Sequence, residues 1–421
     1  MIILPIILLI IISILTKFIT KTWTSPGAFF CICWSFFSIV PILFASDYKI
    51  DHLAIWFIAI FSMSLASGSI VAYSNNPINQ KYFFNTKIHF NYQFLIHAML
   101  FFSSISLLGI FLLIKHATDI YSLGNYLSEW IIIPNMISVD RYSGLLNYPF
   151  IIKYSLYFIY PANLLGGIIF GYNDQSKRIK IISFLPLLLS ILLGIIEGAR
   201  TSMLLGLVLF FSSWLSTYMV NPKNKINRKK SYSRVIISSI ASLTIFTLFF
   251  ILIQWLRQGT DTIIFELLFD RIRAYFFGYL PAFSKWIISD MNYKLNNGLI
   301  TFAGPFNLIG ILDRPLGFYD SIYIAKDIST NIFTAFRGII IDFSIPGAIF
   351  IAFPIGYIIQ SIFQNNSAMS FVNTIPISMF YAFTIYSPLI SIFHYNSILF
   401  AWFILLIILF IAKYAVVVNY R

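Results

Sequence analysis

Long apolar runs alternate with short polar connections along this chain, and the runs have the length that a lipid bilayer demands. A hydrocarbon core about 30 Å thick takes roughly 20 apolar residues per helix, and about eleven runs of that order can be traced between charges, prolines and asparagines. They lie near residues 2–16, 26–45, 53–73, 92–114, 150–170, 181–196, 200–219, 235–256, 338–363, 371–390 and 395–418. Inside lipid every backbone N–H and C=O must be satisfied within its own segment, so runs of this kind fold as helices. The pattern predicts an all-α polytopic membrane protein. The first run is expected to stay as a span, because no basic stretch precedes it and no small-residue cleavage pattern follows before Lys17. The sixth run is short, which would let the turn after it sink slightly below the membrane surface.

The pattern also marks three stretches: residues 1–256 with eight spans, 257–337 as one large extramembrane loop, and 338–421 with three more spans. A connection as long as the second is usually functional or disordered. Its aromatic and branched residues argue for order. From Thr262 to Ile288 the positions Ile263, Ile264, Leu267, Leu268, Ile272 and Phe276 fall on one helical face, the pattern of an interfacial amphipathic helix. A second outer loop, Lys115 to Pro149, carries Asp119, Glu129, Asp140 and Arg141.

Composition strengthens the membrane reading: 59% of residues are hydrophobic and 10% charged, too few polar groups to cover a water-facing globule. The net charge of +13 raises nucleic acid as a partner, but the basic residues sit in short connections rather than on one face. Topology accounts for them, since cytoplasmic loops retain Lys and Arg. One set of alternate loops holds Lys17 and Lys21, Lys81 and Lys87, Lys177, Arg178 and Lys180, and the group from Lys223 to Arg234. The other set of short loops holds Lys49, Lys115, Arg141 and Arg200. The N-terminus is therefore expected outside and the C-terminus, with Arg421, inside. Cys31 and Cys33 fall within the second run and read as small lipid-buried side chains.

Candidate chemistry follows from charges placed against lipid, where they are costly and usually functional. In the turn Gly194 to Arg200 (GIIEGAR), Arg200 follows Glu197 between two apolar arms. An Arg fork there suits a lipid-linked diphosphate, although a long basic side chain can also merely reach for headgroups. Arg257, Arg271 and Arg273 cluster where the large loop leaves the membrane and would neutralise a leaving diphosphate; Asp270 and Arg273, three apart, can alternatively pair along one helix. Arg337 and Asp342 bracket the start of the ninth span, either as a structural ion pair or as an orienter of a sugar hydroxyl. His394, between the last two spans, is placed as a base for an attacking hydroxyl or as a polar interfacial anchor. DxD, HExxH and GxSxG motifs are absent from the chain, so the site is expected to be metal-independent and to need no cofactor.

Four short segments resemble the O-antigen polymerases, oligosaccharide repeat-unit polymerases of the bacterial inner membrane. Thr330 to Gly347 (TNIFTAFRGIIIDFSIPG) is similar to that family's T-N-x-(F/Y)-T segment running into a D-F-G-x-x-G helix start, with Ser344 in place of the usual Gly. Gly198 to Leu205 (GARTSMLL), Asp140 to Gly144 (DRYSG) and Arg271 to Phe283 (RIRAYFFGYLPAF) resemble its Arg-bearing hairpin, loop and periplasmic-loop start. The Ser344 departure is expected to affect only the tightness of helix packing. The resemblance implies a GT-C-like glycosyltransferase that moves the growing glycan from undecaprenyl diphosphate to the non-reducing end of a new lipid-linked repeat on the periplasmic face. On the resemblance, Arg141, Arg200, Arg271 and Arg273 match motif positions and would bind diphosphate or sugar, Arg337 and Asp342 match the helix-start segment, and a separate co-polymerase sets chain length. Charge placement adds Glu197 and His394 to the expected catalytic set, with Arg200, Arg271 and Arg273, and Arg257 to the substrate-binding set, with Arg141, Arg337 and Asp342.

Other classes compete. An O-antigen ligase shares architecture and donor but uses lipid A core as acceptor. A lipid-linked oligosaccharide flippase would carry polar groups at the membrane midplane, whereas these charges gather at one surface. A monosaccharide transferase with dolichyl-like donors would place acids in the first outer loop, where Asp47 and Asp51 stand.

Overall fold

A computed structural model describes residues 2–75, 91–124, 127–145, 148–172, 176–220, 248–257, 265–289, 294–312, 319–365 and 373–418. Among the described residues the architecture is all-α apart from one short antiparallel hairpin, in which Ile322 pairs with Thr330 and Tyr323 with Ser329. Among the described residues, eight helices are long and apolar enough to cross a membrane: Ile3–Thr20, Pro26–Phe44, His52–Asn75, Tyr92–Ile120, Lys177–Ile196, Arg200–Tyr218, Ala335–Gln364 and Asn396–Lys413. Shorter apolar helices cover Leu248–Arg257 and Thr374–Tyr386. These are the elements of a multi-pass membrane protein. The basic groups at Lys81 and Lys87 and at Lys223 to Arg234, the start of the eighth run, Ile263, Ile264 and Arg421 lie outside the described residues.

Proline explains where several helices stop. Its ring clashes with the carbonyl four residues back and it has no N–H to give, yet it fits the first turn of a helix. Helices α5 (Leu127–Trp130), α7 (Phe150–Tyr157), α9 (Lys177–Ile182) and α13 (Phe265–Phe277) end four residues before Pro134, Pro161, Pro186 and Pro281. In each case the next helix takes that proline into its first turn: α6 (Ile133–Ser143), α8 (Ile159–Gly171), α10 (Leu185–Ile196) and α14 (Tyr279–Ser289). The fifth expected span is thus two half-helices, α7 and α8.

Two expectations need correcting. The sixth span is not short: with Lys177, Arg178 and Lys180 included it runs 20 residues to Ile196, because the Ser176 hydroxyl accepts from the Ile179 N–H and starts the helix among the basic residues. A sunken turn at Arg200 therefore has no support from span length. The helix expected from Thr262 to Ile288 is likewise two, α13 and α14, and α14 is no interfacial helix. Tyr279, Leu280, Pro281, Ala282, Phe283, Ser284, Trp286 and Ile287 are all buried.

Packing divides the chain into two compact units, Met1–Thr86 with Phe269–Leu399 and Lys87–Leu268 with Phe400–Arg421. In the first, α3 (His52–Asn75) lies along α16 (Ala335–Asn365) at backbone contact. A Cβ on Gly68 would meet the Phe353 carbonyl oxygen at 2.0 Å, and one on Gly356 would meet that of Leu65 at 2.0 Å. Lipid offers no hydrophobic drive for helices to associate, so close approach of small residues and hydrogen bonds across the seam must hold them. Here the Ser64 hydroxyl donates to the Ile349 carbonyl at 2.7 Å and that of Ser69 to the Gly356 carbonyl at 3.2 Å. Toward one end of this pair Phe336 is the hub of an aromatic core, with ring centroids 4.6 Å from Trp34, 5.0 Å from Phe61, 5.5 Å from Phe57 and 6.1 Å from Phe283. Phe283 comes from the large loop, which is therefore built into the unit.

In the second unit α8 packs on α11 (Arg200–Val220) in the same way: a Cβ on Gly167 would lie 2.2 Å from the Phe210 carbonyl oxygen. Buried Asn163 on α8 donates to the Ser190 hydroxyl at 2.7 Å and to the Ile159 carbonyl at 2.8 Å, joining α8 to α10.

Candidate functional site

The turn between α10 and α11 is a tight hairpin. Glu197 closes α10, Gly198 takes a left-handed backbone with φ 57°, and α11 begins at Arg200. Glycine is required at 198 twice over, since a Cβ there would also lie 2.5 Å from the Pro134 carbonyl oxygen. The close approach seats the hairpin tip on α6, whose last turn carries Arg141.

That seating brings Arg141 to Glu197. Arg141 Nη2 stands 3.6 Å from Glu197 Oε1, with side-chain exposures of 18% and 13%, and the Ser202 hydroxyl donates to Glu197 Oε2 at 2.9 Å. Next to Arg141, the Asp140 carboxylate accepts from the Tyr121 hydroxyl at 2.7 Å. The Arg200 guanidinium lies over the Phe250 ring, 4.9 Å from its centroid. Arg257 contributes its carbonyl, which accepts from Asn135 on α6 at 2.7 Å. The four expected residues of this unit thus differ in kind. Glu197 and Arg141 form one pair, Arg200 stacks on an aromatic ring, and Arg257 ties its helix to α6.

Beside the pair opens a cavity of about 310 Å³, lined by Tyr148, Lys153, Tyr157, Tyr160, Glu197 and Ser202 with Leu156 and Leu193. Its lining spans the break between α7 and α8: Tyr157 is the last residue of one half-helix and Tyr160 the second of the other. Burial pushes the Tyr148 phenol well above its ordinary range, the Glu197 charge adds to this and Arg141 opposes it, so Tyr148 stays protonated and able to donate. Burial, then the hydrogen bond to Asp140, does the same for Tyr121. Sequence reasoning missed Tyr148, Lys153, Tyr157, Tyr160 and Ser202. Only Lys153 left a signal, as the one charged residue between Pro149 and Gly171.

In the other unit, Arg273 pairs with Asp47 and stands 3.9 Å from Asp270, while its guanidinium lies 5.2 Å from the Tyr48 ring centroid. It is matched by two carboxylates. Arg271 is exposed two residues away. Asp51, the other acid of the first outer loop, accepts from the Leu53 N–H at 2.8 Å as a helix cap.

Arg337 and Asp342 have separate surroundings. The Arg337 guanidinium sits among Tyr319, Phe333 and Trp286, with ring centroids at 4.1, 4.1 and 5.4 Å. Asp342 is 1% exposed and accepts from the backbone N–H groups of Ile300 at 3.0 Å and Thr301 at 2.6 Å. The origin of this arrangement is Pro346, which breaks α16 and leaves Ser344 at φ 65° and ψ 171°. Carbonyls of Ile341 and Asp342 then accept from the Asn296 and Asn297 N–H groups, both at 3.2 Å. The large loop therefore plugs a helix break, and Asp342 is the plug's main anchor.

His394, expected as a base or as a polar interfacial anchor, is a buried residue, which fits no interfacial anchor. It is 1% exposed, on a 3-10 turn (Ile392–His394) that folds inward because Ser391 donates to the Thr301 carbonyl at 2.8 Å and Ser387 accepts from the Ala335 N–H at 2.7 Å. Near it the Tyr386 and Tyr395 hydroxyls share a hydrogen bond of 3.0 Å.

Apolar spans, broken helices and a charged cavity at a hairpin tip together define a multi-pass membrane protein with a polar site at a helix-hairpin end. Compared with known families, curated proteins and solved structures, the chain matches no family model, no curated protein and no solved structure.

Proposed function

We propose that the chain is a glycosyltransferase of the O-antigen polymerase kind, working at the periplasmic face of a bacterial inner membrane on undecaprenyl-diphosphate-linked oligosaccharide. The observation that carries this reading is the Arg141–Glu197–Ser202 constellation on the wall of a tyrosine-lined cavity, at the tip of a hairpin of apolar helices. In this reading the hairpin tip lies at the membrane surface, where a lipid-carried substrate arrives. Tyrosine rings present flat apolar faces with polar tips, which suit a sugar, and a carboxylate within the lining suits proton removal from a hydroxyl.

In this reading the acceptor hydroxyl gives its proton to Glu197 as its oxygen bonds to the anomeric carbon of the donor glycan. The anomeric C–O bond to diphosphate breaks, and its electron pair leaves with undecaprenyl diphosphate. Arg200 takes up the developing charge, as preorganised donors do in other transfers of this kind. Ser202 and Arg141 hold the carboxylate in place. Partnership with a chain-length co-polymerase belongs to the same proposal.

Glycan ladders from cells carrying Glu197→Gln or Arg200→Ala test it. A polymerase predicts lipopolysaccharide with a single repeat in place of the long ladder. Loss of every repeat instead identifies a ligase, and unchanged long ladders in both variants sink the site assignment.

A further inference from the structure

Lys153 stands apart from the other charges of its unit. It lies one turn into an apolar run, on the half-helix Phe150–Tyr157, where a charge is costly. Its ammonium is 5.9 Å from the Tyr154 ring centroid, and among the described residues no carboxylate forms an ion pair with it. It nevertheless lines the same cavity as Glu197.

The lining carries two charged residues, Glu197 and Lys153. Arg141 and Ser202 already hold the Glu197 carboxylate, which leaves the Lys153 ammonium as the charge a ligand can answer. Tyr157 and Tyr160 line the same cavity. A volume of about 310 Å³ is at the small end of ligand sites, which run from roughly 300 to 1,000 Å³, and fits a sugar residue rather than a long glycan. Lys153 is exposed, so a neutral sugar would leave its ammonium to solvent, whereas a carboxylate on the ring would form a charge-assisted contact with it.

We infer that this cavity selects a sugar ring bearing a carboxylate, a uronate, whose ring lies against Tyr157 and Tyr160 and whose carboxylate meets Lys153. The inference rests on the transferase reading for its biological sense: the glycan handled here contains an acidic sugar at the residue seated during transfer. Lys153 is then the specificity-determining residue.

Saturation-transfer NMR on the purified full chain in non-ionic detergent micelles tests this with glucuronate, glucose and inorganic diphosphate as probes. Wild-type protein is expected to bind glucuronate about tenfold more tightly than glucose, Lys153→Gln to lose about that factor for glucuronate alone, and Lys153→Arg to keep it, as removal of one charge-assisted contact predicts. Equal binding of the two sugars, or glucuronate binding untouched in Lys153→Gln, overturns the inference. So does displacement of glucuronate by equimolar diphosphate, which makes the cation a phosphate ligand. If uronate selectivity is absent while the Glu197→Gln ladder collapses, only the specificity falls. If selectivity is present while that ladder is unchanged, the cavity remains a uronate site and the transferase reading falls.

Discussion

Ser344 sits where a side chain is rarely found. Its φ of 65° and ψ of 171° belong to a region populated almost only by glycine, at a strain of roughly 1–3 kcal/mol. Its hydroxyl returns part of that cost by accepting from the Gly347 N–H at 3.3 Å, a cap that glycine replaces with a loss of only a few tenths of a kcal/mol. Ser344→Gly should therefore stabilise the protein by about 1 kcal/mol, read as a higher midpoint in SDS or thermal unfolding. A lower midpoint would mean that the cap outweighs the strain. The sequence marked this position, because the segment it resembles carries Gly there. It gave the wrong reason, helix packing, since the backbone angle forced by Pro346 four residues after Asp342 is not visible in a pattern of residue types. Asp342 was likewise marked for its cost, but its partners, the N–H groups of Ile300 and Thr301, carry no side-chain signature at all.

Helix breaks and helix seams are the features that shape the elements. Pro161 splits the fifth span, and Tyr157 and Tyr160, from the two half-helices, both line the cavity. Pro161→Ala restores a donor and relieves the clash with the Tyr157 carbonyl, so the two half-helices are expected to fuse. Glycan transfer should then fall at least tenfold with the protein still present in the membrane at wild-type level, since one well-placed contact is worth that much. Activity and abundance measured on the same membranes check this. A seam responds differently. Val at Gly68 or Gly356 places a side chain where backbone oxygen stands at 2.0 Å, and overpacking costs about 1–3 kcal/mol or more. Both variants should unfold at lower denaturant than wild type, and Ala at Gly144, whose Cβ position is open, provides the contrast of a site where only φ is strained.

For the whole molecule the sharpest expectation concerns sidedness. Lys177 starts a spanning helix at its basic end, and Glu129 lies on the short helix α5 in the connection after α4 (Tyr92–Ile120). With Cys31 and Cys33 replaced by Ala, a cysteine at Glu129 should react with a membrane-impermeant thiol reagent in spheroplasts. A cysteine at Lys177 should react only after the membrane is opened. Reversed labelling would invert the topology and remove the proposed periplasmic placement of the site with it. The prediction rests on positive charge held on the cytoplasmic side, an argument about loops rather than about packing.

Run length and hydropathy are local properties, and lipid reads them directly; on those grounds the sequence by itself determined that this is an all-α, multi-pass membrane protein and where most of its spans lie. Local chemistry also singled out Glu197, Arg141, Arg200, Asp342 and His394 as charges or polar groups out of place. What they do was decided by tertiary structure, because it depends on residues far apart in the chain. Gly198 against Pro134 delivers Arg141 to Glu197, the loop near Thr301 claims Asp342, and Ser391 draws His394 into the interior. Tyr148, Tyr157, Tyr160 and Ser202 were silent for the complementary reason. Tyrosine and serine are ordinary residues in membrane helices, and only the packing of α7, α8 and α11 brings them to a common cavity.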